Sequence, residues 1–61
     1  MYGIWFSGEG LPRLQSTDMF RHSHLAIARA RETLQELGPR YVLIEVYDLD
    51  SGDIIWIEER A

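Results

Sequence analysis

The sequence predicts an α+β fold: a small three- to four-stranded, mostly antiparallel sheet in the order β(β)αββ, with one amphipathic helix packed on one face. Three observations carry this. A run of aromatic and β-favouring residues opens the chain, an apolar pattern of helical period occupies its middle, and two β-branched runs separated by an Asp/Gly-rich turn close it. Strands and one helix in this order pack as two layers, a sheet and a helix on a single face. Residues 1–61 read as a single α/β domain, since no linker or repeat divides them.

Tyr2-Gly3-Ile4-Trp5-Phe6 forms the first strand and stops at the turn Ser7-Gly8-Glu9-Gly10. Leu11 to Ser16 allows a short second strand returning from that turn. Pro12 has no backbone donor, which confines such a strand to an edge. From Ser16 onward the period changes. Phe20, Ile27, Ala30, Leu34 and Leu37 fall on one helical arc, joined by Met19, Ser23 and Ala26. Thr17 or Asp18 suits the cap of a long helix and Ser23 that of a shorter one. Gly38-Pro39 ends either, because glycine accepts the left-handed closing conformation and proline cannot continue the helix.

Tyr41 to Tyr47 and Ile54 to Glu59 are the strands of a hairpin whose turn lies in Asp48-Leu49-Asp50-Ser51-Gly52-Asp53. A four-residue loop pairs Val46 with Ile55 and Ile44 with Ile57. Val42, Ile44, Val46, Ile55 and Ile57 then face the helix, and Tyr41, Leu43, Tyr47, Ile54 and Trp56 line the opposite, open face with Glu45 and Glu58. A three-residue loop with a bulge exchanges the faces of the last strand. Both faces are apolar in either register, and one helix covers only one of them. Tyr41, Tyr47 and Trp56 together offer roughly 450–750 Å², against about 300–600 Å² for the largest apolar patch of an ordinary monomer. The open face therefore reads as an association surface, unless the segment from Ser7 to Asp18 folds over it with Leu11 and Leu14.

Composition narrows the function. The chain is 46% hydrophobic and 26% charged, with no cysteine, so disulfides and thiolate metal sites are excluded. All six basic residues are arginine, which excludes lysine Schiff-base chemistry and a phosphate-loop lysine. The net charge of −4 is uneven: residues 1–40 carry five arginines and four acids, +1, and residues 41–61 one arginine and six acids, −5. An acidic hairpin opposes direct nucleic-acid binding, although its aromatic residues are of the kind that stack on bases. The apolar runs are too short to span a bilayer, no secretory leader is evident, and a cytoplasmic location is expected.

Chemical motifs are weak. His22 and His24 lie two apart, pointing about 200° from each other on a helix, whereas Asp18 and His22 at i, i+4 share a helical face. Two ligands alone do not make a metal site. Asp48-x-Asp50-x-Gly52-Asp53 has glycine one position early for a calcium loop and reads as turn chemistry. Gly8-Glu9-Gly10 places a carboxylate where phosphate would sit. No catalytic, cofactor-binding or metal-ligating residues are assigned, and no enzyme activity is expected. The sequence is read as a non-catalytic interaction or homodimerisation module that uses Tyr41, Leu43, Tyr47, Ile54 and Trp56, with itself or another protein as partner. The alternative is an acidic inhibitor or decoy, of the kind phages and mobile elements encode, that occupies the basic site of a nucleic-acid-binding protein.

Overall fold

The computed structural model describes residues 1–60 and shows a four-stranded antiparallel sheet with one helix on one face. The strands are β1 (Tyr2–Ser7), β2 (Leu14–Gln15), β3 (Leu43–Asp48) and β4 (Ile54–Glu59), and the helix is α1 (Ser23–Leu37). The sheet order is β2-β1-β3-β4, so the first strand lies inside the sheet and pairs along its whole length with β3. That arrangement puts β1 and β3, the two strands with buried residues, at the centre, where both of their edges are hydrogen-bonded.

Alternation along β1 and β3 sends Ile4, Phe6, Ile44 and Val46 to the helix side, where they meet Ala26, Ala30 and Leu34 of α1. Ile4, Ile44, Val46 and both alanines are fully buried. Alanine at these two buried helix positions leaves little side chain between helix and sheet.

The helix begins at Ser23, close to the shorter of the two lengths the sequence allowed, with Ser23 inside the helix instead of capping it. Phe20 has the helical phase of the core arc but is drawn to the sheet instead: its backbone exchanges hydrogen bonds with Tyr2, at 2.7 and 3.0 Å. His22, in extended conformation, occupies the N-cap position without a side-chain cap. At the other end Gly38 takes φ +90°, and Arg60 donates to the carbonyls of Leu34 (2.8 Å) and Gly38 (3.1 Å). A guanidinium there satisfies carbonyls the helix leaves unpaired and lies at the negative end of its dipole. No helix among the described residues is long and apolar enough to cross a membrane.

The hairpin contains a correction. The four-residue loop forms as its residues dictate: Asp48 N–H donates to Asp53 C=O at 2.8 Å, Gly52 takes φ +80°, and Tyr47 lies opposite Ile54. A bulge then intervenes at Ile55, so Val46 pairs with Trp56 and Ile44 with Glu58. The faces of the rest of β4 are thereby exchanged. Trp56 and Glu58 lie on the helix side, while Ile57, expected against the helix, lies opposite Glu45 on the open side.

Candidate functional site

The open face is built from alternate residues of three strands. Gly3, Trp5 and Ser7 of β1, Leu43, Glu45 and Tyr47 of β3, and Ile54, Ile57 and Glu59 of β4 share it by register. Its two halves differ. On the β1 side, Tyr47 lies over Gly3, where an added Cβ would collide with the phenol ring. Glycine here makes room for a cross-strand aromatic. Trp5 and Tyr47 lie with ring centroids 6.0 Å apart. The β2 segment then covers this pair: Arg13 stacks on Trp5 at 4.2 Å and reaches Glu45 at 3.0 Å, and Gln15 donates to the Tyr47 hydroxyl. Residues 7–18 therefore do close part of the open face, through Arg13 and Gln15 rather than through Leu14. Leu14 pairs with Phe6 and points to the helix side.

The β4 side has no such cover. Ile54 and Ile57 are 46% and 59% exposed, and the bulged Ile55 is 44% exposed. The bulge itself creates this patch, because residues three apart lie on opposite faces of a regular strand and here lie on the same one.

The five residues expected to interact are thus divided. Leu43, Tyr47 and Ile54 are on the open face. Tyr41 precedes β3, packs against the core cluster and donates its hydroxyl to Pro12 C=O at 2.9 Å, which ties it to the β1–β2 connection. Trp56 is turned to the helix side by the bulge, where it packs against the core beneath Arg31, whose guanidinium lies 5.3 Å from the ring. Sequence reasoning missed Trp5 and Ile57. Trp5 was accessible from alternation, since Ile4 and Phe6 flank it. Ile57 depends on a bulge that Ile-Ile-Trp-Ile does not announce.

The other motifs resolve into local structure. Asp18 lies before the helix, so it shares no helical face with His22, and it meets Arg29 at 3.3 Å. The extended backbone of His22 lets its ring stack on that of His24, with centroids 5.6 Å apart, contrary to the divergence expected of helical residues. Among the described residues no three His, Cys, Asp or Glu side chains gather as a ligand set. In the turn, Asp50 N–H donates to the Asp48 carboxylate and Asp53 N–H to the Ser51 hydroxyl. These are the side-chain-to-backbone bonds that start turns. A groove of about 320 Å³ opens between β2 and α1, with Phe6, Leu14 and Leu37 among its apolar lining and the Arg29–Asp18 pair beside them.

The hairpin acids do not act as one field. Glu45 is held by Arg13, and Glu58 by Arg31 at 2.9 Å. The carboxylates without such a partner are those of the turn and Glu59. In class the molecule is a small α+β fold with one sheet face left open. Comparison with protein-family models, with curated proteins and with solved structures finds no match to this chain.

Proposed function

We propose that the chain is a non-catalytic association module that pairs with a second copy of itself along β4, at the border of its open sheet face. One observation carries the reading: Ile57, the most exposed large apolar side chain among the described residues, shares this face with the exposed Ile54, on an outer strand. Exposed apolar groups gathered on one strand, rather than scattered, are what mark an interaction surface. The expected Tyr41 and Trp56 give way to Ile54 and Ile57 in this role, and Leu43 and Tyr47 remain at its border. A cytoplasmic setting is in keeping with a chain free of cysteine.

Light scattering and sedimentation over a range of concentrations test this. The wild type is expected to shift from monomer to dimer as concentration rises, and Ile57→Lys to remain monomeric with unchanged circular dichroism. Raising the salt concentration should preserve or strengthen the dimer, because each copy carries −4 and screening lowers their repulsion. A wild type that stays monomeric at every concentration would overturn the reading. A chain that is monomeric alone but binds a basic protein, with binding that collapses in salt, would instead favour the decoy reading.

A further inference from the structure

We infer that two copies join edge to edge along β4, antiparallel, about a two-fold axis passing through Ile57, to make one continuous eight-stranded sheet. This rests on the self-association proposed above and specifies its geometry. The backbone supplies the first argument. Arg60 N–H donates inward to Val42 C=O at 2.6 Å, and the ladder from Leu43–Glu59 to Val46–Trp56 is regular. Directions alternate along an antiparallel strand, so Glu58 and Trp56 also address β3 while Glu59 and Ile57 turn their N–H and C=O groups away from it. As β4 is the outer strand, those groups meet no neighbouring strand among the described residues. Such a row is a template for another strand.

Charge then selects the register. A two-fold pairing that keeps both helices on one side of the sheet must be centred on a residue, because paired residues share a face. Centring on Trp56 brings the Glu58-Glu59 end of each copy alongside the second copy's acidic turn, and centring on Glu58 places the two Glu58 side chains opposite each other. Like charges directly opposite are destabilising. Centring on Ile57 avoids both. It sets Ile57 against Ile57 on the open side, and on the helix side it sets Glu58 opposite the second copy's Trp56. Arg31 lies over Trp56 and holds Glu58 of its own chain. Each arginine would therefore stand near two glutamates, one from each copy, in an alternating cluster about the axis. This self-complementarity is what identifies a second copy, rather than an arbitrary strand, as the occupant.

Area sets the strength. The described surface is 4146 Å², and an interface taking about a tenth of a small protein's surface removes about 400 Å² per copy. The total lies below the roughly 1,200 Å² of stable complexes, so the dimer is a weak one that follows concentration. Stacking of two open faces is the rival geometry. It is disfavoured because Trp5 and Tyr47 are already covered by Arg13 and Gln15, and because that face carries Glu45 and Glu59.

The chain has no cysteine, so single-cysteine variants give a clean test. In a hydrogen-bonded antiparallel pair the opposed Cα atoms are about 5.5 Å apart, within disulfide range. Ile57→Cys is expected to cross-link into a dimer under mild oxidation, and Ile54→Cys and Leu43→Cys at least about tenfold less, since both lie well away from the axis. Circular dichroism of the reduced variants checks folding, and Ile54 and Ile57 are exposed enough to replace safely. If the wild type dimerises in sedimentation but Ile54→Cys or Leu43→Cys cross-links in preference, the edge register is wrong while self-association stands. A wild type that stays monomeric near 1 mM sinks both.

Discussion

The two outer strands of the sheet face the same problem and handle it differently. At one edge β2 is only two residues long and is preceded by Pro12 and Arg13, and Arg13 and Gln15 fold over the face of β1. At the other edge β4 runs for six residues without proline or lysine, and all three of its isoleucines are exposed. Short length, proline and charge are the usual means of preventing a strand edge from recruiting a partner. The β2 edge has all three. On β4 the only such devices are the bulge beside the turn and Glu58-Glu59 at the far end, and the stretch between them is open. The contrast shows which strand edge is blunted by its own residues and which is not.

The comparison can be broken most severely from the core that both edges share. At about 0.05–0.15 kcal/mol per residue, a chain of this length has roughly 3–9 kcal/mol of stability. Ile44→Ala empties a fully buried site on the central strand β3 and is expected to cost about 2–5 kcal/mol. Amide exchange should then rise at both edges together. Gly3→Ala acts on one side only: its Cβ collides with the Tyr47 ring, so a loss of about 1–3 kcal/mol is expected from overpacking. Near-ultraviolet circular dichroism should report the displaced aromatic pair, with exchange faster in β2 than in β4.

Arg60→Ala addresses the far end of β4. It removes the guanidinium from the carbonyls of Leu34 and Gly38, and about 1–2 kcal/mol should be lost in urea titration. Arg13→Ala should cost less, about 1 kcal/mol, since it removes an exposed ion pair and one stacked cation. Its more telling result would be higher Trp5 accessibility to a soluble quencher. The smallest change in stability is expected from Ile57→Lys, within about 0.5 kcal/mol because the side chain is already in water. Dimer formation should nonetheless be abolished.

Much of this architecture was legible from residue order. Gly38-Pro39 ends the helix where those residues must end it, and the Asp/Gly-rich turn makes the hairpin. The helix start was not decided, because Phe20 continues the helical period although its backbone is captured by Tyr2. The open face was legible as an excess of apolar residues over what one helix can cover. Its membership was not. In Ile54-Ile55-Trp56-Ile57 every residue tolerates either side of the sheet, so no polar residue reveals which one the ladder skips. Only the backbone decides that Trp56 is turned inward and Ile57 outward.

The position of β1 has a kinetic consequence. Tyr2 pairs with Asp48, so the first strand finds its partner about three quarters of the chain away. Closing so long a loop before the contact is gained raises the entropic barrier, and domains built on such distant pairs fold slowly for their size. The β3–β4 hairpin, by contrast, needs only its own turn and can form within microseconds. Folding is therefore expected to begin with the hairpin, which leaves the inner edge of β3 bare until β1 arrives. During that interval the same chain presents two free strand edges instead of one.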